Sequence, residues 1–145
     1  MRHDCVEFAV FAERVYKSFL DLIKFELDTI GATDINSIQA FILLNIDENS
    51  VTMSEVISRG YYVGSNASYN IKRMLANGYI EQVASAYDKR IAYLNLTNKG
   101  RTILEKLNNR ISKHNKNINI NFKNIANSLS QIENHWRDIL NKNPI

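Results

Sequence analysis

The chain has 145 residues, 45% of them hydrophobic, which is enough for one domain with a packed core. No apolar run is long enough to span a membrane and the single cysteine excludes an internal disulfide, so we expect a cytoplasmic protein without a membrane partner. Residues 1–60 carry five basic and ten acidic side chains whereas residues 61–145 carry thirteen and five, and such a basic half is typical of a nucleic-acid surface, although it can also serve only for solubility.

A long amphipathic helix is predicted over residues 4–29. Apolar side chains recur there at steps of three and four residues, and Gly31 marks the end of the pattern. The beginning of this helix has more large apolar groups than one buried face requires. This excess predicts a surface for a partner subunit, formed by Phe8, Phe11 and Val15.

The second and third helices are predicted from their capping residues. Asp34 is a suitable N-cap for a second helix over residues 35–45. Residues 52–55 read Thr-Met-Ser-Glu and match a capping box, in which the threonine and the glutamate each bond the other's backbone N–H. The box predicts a short third helix over residues 53–59.

The fourth helix is predicted to start at Gly64-Ser65 and to be stopped by Asn77-Gly78. Ile71, Met74 and Leu75 should face inward, which leaves a polar outer face. Residues 61–63 are predicted to form the tight turn before it. Two short helices across a tight turn, the second with a polar exposed face, are typical of a helix-turn-helix.

Two strands are predicted after the fourth helix, at residues 79–85 and 91–96. Residues 86–90 join them in a hairpin with a basic tip. A hairpin in this position is the wing of a winged helix. The predicted fold class is therefore mainly α, a winged helix-turn-helix with a two-stranded wing, and residues 34–100 form its DNA-binding lobe.

Two further helices are predicted at residues 98–116, capped by Thr97, and at residues 122–140. Their apolar stripe has no internal proline and resembles a long helical arm. Part of this apolar stripe must pack into the core of its own chain. We nevertheless expect residues 1–30 and 101–145 to form a helical dimerisation region of this single domain, with contacts from Ile125, Leu129, Ile132 and Trp136.

The order of these elements, together with two local motifs, resembles the MarR family of bacterial transcription regulators over nearly the whole chain. Asp88-Lys89-Arg90, a strand and Leu96-Thr97-Asn98-Lys99-Gly100 are similar to the family's Asp-x-Arg and Leu-Thr-x-x-Gly. Asn77-Gly78-Tyr79-Ile80 resembles its helix-to-strand joint. Residues 59–70 are similar to a small alphaproteobacterial branch linked to control of L,D-transpeptidase and of cell-wall or osmotic stress genes.

The resemblance implies an obligate homodimer that binds a pseudo-palindrome in double-stranded DNA. It implies fourth helices in two successive major grooves and wings in the flanking minor grooves. It often implies a small-molecule effector bound between the dimer arms and the DNA lobe. The Asn- and Ile-rich composition is a weak indication of an AT-rich operator.

Six polar side chains of the fourth helix are predicted to contact DNA. The leading turn enters the groove, where asparagine can pair with adenine and tyrosine can touch a thymine methyl group. Ser68 can contact either a base or a phosphate. Ser65 can also serve as a plain N-cap, and Tyr69 can instead pack on Tyr61 or Tyr62. The base-edge candidates are Ser65, Asn66 and Tyr69, and the phosphate candidates are Lys72 and Arg73.

The wing contributes three more candidates. Arg90 is predicted to enter the minor groove, where narrow A·T tracts concentrate negative potential. Lys89 is predicted to contact phosphate, and Asp88 to orient Arg90 or close the turn. The alternative is a hairpin tip that is only solvated.

An effector cleft is predicted where the first, second and fifth helices meet, although each of its residues can also be ordinary core. Its candidates are Phe19, Ile23, Phe41, Leu44 and Leu104. No histidine or cysteine spacing suits a metal, no catalytic motif occurs, and neither a cofactor nor an enzyme is expected.

Two alternative functions stay open. Cys5 could sense oxidants if nearby cations activate its thiol, although Asp4 and Glu7 oppose this and an unreactive apolar cysteine is favoured. A winged helix can also bind only proteins, but such faces usually carry aromatic or aliphatic anchors, which the polar fourth helix lacks.

Overall fold

The computed structural model describes residues 3–46, 50–60 and 64–143, without the side chains of residues 59, 60, 64 and 65. The chain divides into two compact units, Met1–Lys113 and His114–Ile145. The elements of the described ranges are α1 (Asp4–Thr29), α2 (Ser37–Ile46), β1 (Val51–Thr52), α3 (Met53–Gly60), α4 (Gly64–Ala76), β2 (Ile80–Ala84), β3 (Ala92–Leu96), α5 (Asn98–Asn115) and α6 (Phe122–Lys142). In that part of the chain, no helix is long and apolar enough to cross a membrane.

The predicted bounds of α1 are confirmed. The helix ends as its sequence indicates, since the Gly31 N–H donates to the Asp28 carbonyl at 3.2 Å and the Ala32 N–H to the Leu27 carbonyl at 3.0 Å. Its inner face buries Ile23, Glu26 and Leu27. Two of these are apolar, and the third is a carboxylate that the periodicity did not predict as buried.

The predicted start of α2 was wrong. The helix begins at Ser37 rather than at residue 35, and its cap is Asn36 rather than Asp34. The Gln39 N–H donates to Asn36 Oδ1 at 2.9 Å, and the Asn36 N–H donates to Gln39 Oε1 at 3.2 Å. This reciprocal pair is a capping box made of amides. Asp34 makes tertiary contacts instead.

The capping box before α3 is confirmed. The Thr52 N–H donates to Glu55 Oε2 at 2.6 Å, and the Glu55 N–H donates to Thr52 Oγ1 at 3.2 Å. The turn predicted at residues 61–63 lies outside the described residues. The fourth helix ends as predicted, because Gly78 has a φ of 73°, a left-handed conformation that glycine adopts without strain.

The sheet has one strand more than predicted. β2 and β3 form the expected antiparallel hairpin, with Ile80 opposite Leu96, and β1 pairs with the other edge of β3 to give the order β1-β3-β2. Val51 lies opposite Leu94, and both side chains are buried. A two-residue strand has too little alternation to be recognised in sequence.

The core lies between the inner faces of α1, α2, α4, α5 and the sheet. Ile71 and Met74 of α4 are fully buried there and Leu75 is half-buried, as predicted. The Thr97 cap of α5 is confirmed, because its Oγ1 accepts from the Gly100 N–H at 3.1 Å. The buried side chains attach the inner face of α4 to the core of residues 1–113.

Candidate nucleic-acid interface

The two faces of α4 differ sharply in polarity. Ala67, Ile71 and Met74 are fully buried, whereas Asn66, Tyr69, Lys72 and Arg73 are exposed and Ser68 is half-buried. The side chain of Ser65 lies outside the described residues. Apart from Ser65, the outer face therefore carries the predicted DNA-contacting side chains together on one surface.

Tyr69 does not belong to the core. Its side chain is 62% exposed, and it lines a cavity of about 230 Å³ with Arg73 and the segment before α2. The alternative of packing on Tyr61 or Tyr62 involves residues outside the described ranges. An exposed phenol beside a guanidinium can meet a base edge, a sugar or a phosphate.

A hydrogen-bonded chain of amides lies behind α4. Gln39 is 5% exposed and Asn70 is 7% exposed. Gln39 Nε2 donates to Asn70 Oδ1 at 3.2 Å, and Asn70 Nδ2 donates to the Asn66 carbonyl at 2.9 Å. This connection between α2 and α4 was not predicted, because nothing in either local sequence indicates the partner 31 positions away.

The wing tip contains the predicted contact between Asp88 and Arg90. Asp88 Oδ1 accepts from the Arg90 backbone N–H at 3.0 Å and from Nε at 3.2 Å. The backbone bond and then the guanidinium hold the pKa of Asp88 below its ordinary value. Arg90 remains 91% exposed, and Lys89 is exposed beside it. The carboxylate thus closes the turn and restrains an arginine that stays available to a ligand.

Asp34 joins three parts of the lobe in a polar cluster. Its carboxylate accepts hydrogen bonds from the Tyr79 hydroxyl and from Lys99 Nζ, the latter at 2.6 Å. Lys99 Nζ also donates to the Asn77 carbonyl at 2.9 Å and lies 4.2 Å from the centre of the Tyr79 ring. The cluster therefore ties the segment before α2 to the end of α4 and the start of α5.

The cluster shifts two pKa values in opposite directions. The hydrogen bond from Lys99, followed by that from Tyr79, lowers the pKa of Asp34. Burial, followed by the Asp34 carboxylate, raises the pKa of Tyr79 above its ordinary 10.0. The stability that comes from neutral Tyr79 is therefore complete below pH 10 and is lost as the pH rises above that value.

Tyr79→Phe is expected to destabilise the protein by about 1 kcal/mol at pH 7, the usual net value of one hydrogen bond. At pH 11 the difference in free energy of unfolding between the variant and the wild type should be smaller. Keeping Tyr79 protonated then costs free energy in the folded wild type, and the variant has no such group. Urea denaturation at both pH values measures this. The other tyrosines are common to both proteins and cancel; an equal difference at both pH values would contradict the assignment.

A second cavity, of about 440 Å³, lies beneath the wing. Its lining joins the start of α3 to the β2–β3 hairpin, and Arg90 is part of it. Neither cavity was predicted from the sequence, because both are formed by segments that are distant along the chain.

The five predicted effector residues lie in or against the core. Ile23 and Leu104 are buried, and Phe19, Phe41 and Leu44 are half-buried against them. The Phe19 and Phe41 rings meet edge to face at 5.9 Å. Neither of the two cavities above includes these side chains, so an effector site at this place stays a prediction.

The predicted dimer contacts are mostly exposed within their own units. Phe11 and Val15 of α1 are 52% and 67% exposed, and Phe8 is half-buried. In α6, Ile132 is half-buried, and the exposed members of the set are Ile125, Leu129 and Trp136. Exposed apolar stripes on two helices suit a partner subunit.

Cys5 is exposed, and its Sγ lies 3.3 Å from His3 Nδ1. The redox alternative needs a thiol that is both accessible and activated. Accessibility is met, and redox sensing stays a prediction.

Comparisons with known proteins concern both sequence and fold. The MarR family profile matches residues 33–91. The exopolysaccharide II synthesis transcriptional activator ExpG of Rhizobium meliloti (strain 1021) is 41% identical over 97 residues, which is 67% of this chain and 50% of that protein. The chain thus spans about half the length of this curated relative.

Solved structures share the fold at low identity. BldR from Sulfolobus solfataricus has a TM-score of 0.72 and 18% identity, covering 93% of this chain and 99% of that one. AbfR of Staphylococcus epidermidis has a TM-score of 0.75 and 19% identity, covering 92% and 93%. An overoxidised form of AbfR bound to DNA has a TM-score of 0.66 and 21% identity, covering 91% and 93%.

Proposed function

Because this chain belongs to the MarR family of winged-helix transcription regulators, we propose that it binds an operator in double-stranded DNA as a homodimer. The observation that carries the proposal is the polarity of α4. Its apolar side is buried, and the side chains that face outward are Asn66, Tyr69, Lys72 and Arg73. A structure of AbfR, which has the same fold, is bound to DNA.

The proposed contacts divide by chemistry. Asn66 and Tyr69, near the start of α4, read base edges, and Ser65 joins them or only caps the helix. The cations Lys72 and Arg73, further along, neutralise phosphates, and Ser68 serves either contact. The amide of Asn66 can pair bidentately with adenine and so discriminate between bases. Sequence preference is therefore expected from the leading turn of α4.

The wing adds a second contact region. Arg90 is proposed to enter the minor groove, with Lys89 on phosphate and Asp88 holding the turn that presents them. Because Asp88 already restrains the guanidinium, less side-chain freedom is lost on binding. The proposal keeps Asp88 as a positioning group, since its charge repels phosphate.

The dimer is proposed to form through the exposed apolar side chains of α1 and α6. A two-fold axis places two copies of α4 on successive half-sites, and the operator is expected to be pseudo-palindromic. A small-molecule effector, an AT-rich operator and a cytoplasmic location belong to the same proposal. The link to cell-wall or osmotic stress genes stays a prediction.

The proposal is tested by selecting binding sequences from a pool of random 30-base-pair duplexes with the full chain. Fluorescence anisotropy then compares an enriched duplex with a scrambled duplex of equal composition, over a salt series. Tighter binding to the enriched duplex by two subunits, with a steep salt slope, supports the proposal. Failure to enrich any sequence, with no binding at low salt, would favour a protein-interaction role.

Arg90→Ala is expected to weaken binding to both duplexes roughly tenfold and to lower the salt slope by about two, since each dimer loses two counterion-releasing contacts. Lys24→Ala removes the same charge from the exposed face of α1 and serves as the matched control. Its slope should equal that of the wild type. An unchanged slope in Arg90→Ala would refute the wing contact.

A further inference from the structure

The leading turn of α4 is held differently from the rest of that helix. Ile71 and Met74 anchor its later turns by apolar packing, which is non-directional. Of the described side chains in residues 66–70, the buried ones are Ala67 and Asn70. Ala67 has one methyl group to pack, so the directional contact at this turn comes from Asn70.

The bonds of Asn70 form one directed chain. The Asn36 N–H donates to Gln39 Oε1 at 3.2 Å, Gln39 Nε2 donates to Asn70 Oδ1 at 3.2 Å, and Asn70 Nδ2 donates to the Asn66 carbonyl at 2.9 Å. In both side-chain amides, the oxygen therefore accepts a hydrogen bond from a residue at the start of α2, and the nitrogen donates one to a residue of α4. Only one orientation of both amides satisfies all three bonds.

Burial keeps this chain from exchanging with water. Gln39 and Asn70 are both more than nine-tenths buried, and a buried amide without its partner is costly. Rotation of α4 about its axis would break the contact between Gln39 and Asn70. The pair therefore resists rotation at the turn that carries Asn66 and leads into Tyr69.

We propose that Gln39 and Asn70 are positioning residues that set operator specificity by fixing the rotation of the leading turn of α4. Both side chains are more than nine-tenths buried, so we expect them to act through the groups on the outer face. A base-edge hydrogen bond is sensitive to angle, whereas a phosphate contact from a long cation is not. Loss of the pair should therefore weaken specific binding more than non-specific binding. The inference rests on the DNA-binding function proposed above.

The test uses Gln39→Met, Asn70→Leu and the double variant, all in the full chain. These side chains fill similar space without polar atoms, and replacing both partners together avoids an unpaired amide. Each variant is measured by anisotropy on the enriched and scrambled duplexes, with thermal melting as the check on folding. The ratio of the two affinities should fall at least about tenfold, comparable with one lost base contact. Binding to the scrambled duplex should stay within about twofold, because phosphate contacts remain.

Two comparisons separate positioning from other roles. Lys72→Gln removes a proposed phosphate contact and should weaken binding to both duplexes alike, with a lower salt slope. The double variant should lose no more specificity than either single variant, because the two residues act as one unit. Reselection from the random pool with Asn70→Leu should also give a less defined sequence than the wild type does.

The outcomes distinguish this inference from the function on which it rests. If the wild type discriminates between the duplexes and a folded Gln39→Met or double variant discriminates equally, the positioning role is overturned and the DNA-binding function stands. An equal loss on both duplexes also overturns it, since the pair would then support binding in general. If the wild type enriches no sequence, the proposed function itself fails.

Discussion

Gly100→Ala is expected to destabilise the protein by about 3 kcal/mol, the upper part of the range for overpacking. A Cβ at this position would overlap the Tyr79 carbonyl oxygen and lie 3.2 Å from the carbonyl carbon and 3.4 Å from Leu96 Cδ2. The carbonyl cannot move away freely, because it accepts from the Thr97 N–H at 3.1 Å. The start of α5 would have to separate from the entry to β2.

Thermal melting measures this effect, and a decrease of roughly 10 °C is expected for a chain of this size. Gly31→Ala is the control, because nothing lies within 4 Å of a Cβ there and only the left-handed backbone, with φ at 73°, opposes the substitution. Gly31→Ala should lower the free energy of unfolding by about 1 kcal/mol. Equal losses in the two variants would show that close packing at Gly100 is not the cause.

Arg110→Ala is expected to be at least as damaging, at roughly 3–5 kcal/mol. Arg110 of α5 donates through Nε to Glu26 of α1, whose carboxylate is fully buried. Removing the guanidinium takes a positive charge from a carboxylate that has little access to water. The Arg110 side chain is also only 37% exposed, so its truncation removes packing contacts as well as the charge.

The matched comparison is a double variant that carries both Glu26→Leu and Arg110→Leu. Replacing both members of a buried ion pair by apolar groups is often near neutral, so the double variant should recover most of the stability lost in Arg110→Ala. Urea denaturation of the three proteins gives the free energies of unfolding. A double variant as unstable as Arg110→Ala would mean that packing, rather than the charge on Glu26, sets the cost.

These two contacts have a consequence for the proposed function. Gly100 allows the end of β3, the entry to β2 and the start of α5 to meet, while Arg110 holds α5 against α1 within residues 1–113. Both positions therefore support the base from which α4 and the wing project. Weak DNA binding by either variant has to be interpreted together with its melting temperature.

Much of the local structure was predictable, because its causes are local. The bounds of α1 follow from apolar periodicity and the start of α3 from a four-residue capping box. The end of α4 follows from Gly78, whose left-handed backbone suits glycine. The hairpin and the Thr97 cap were predictable for the same reason. In each case the interacting groups lie within a few residues of one another or alternate along a strand.

The sequence by itself determined the hairpin, the polar outer face of α4 and the helices apart from the start of α2. Only the tertiary structure decided the long-range polar contacts: Asp34 contacts Lys99, Gln39 contacts Asn70 and Glu26 contacts Arg110. The sequence indicated a helix cap for Asp34 and no role for Gln39 or Glu26. These partners are 65, 31 and 84 positions apart. Local spacing fixes the face on which a polar side chain lies, but its partner depends on which helices pack together. Burial then makes that partner necessary.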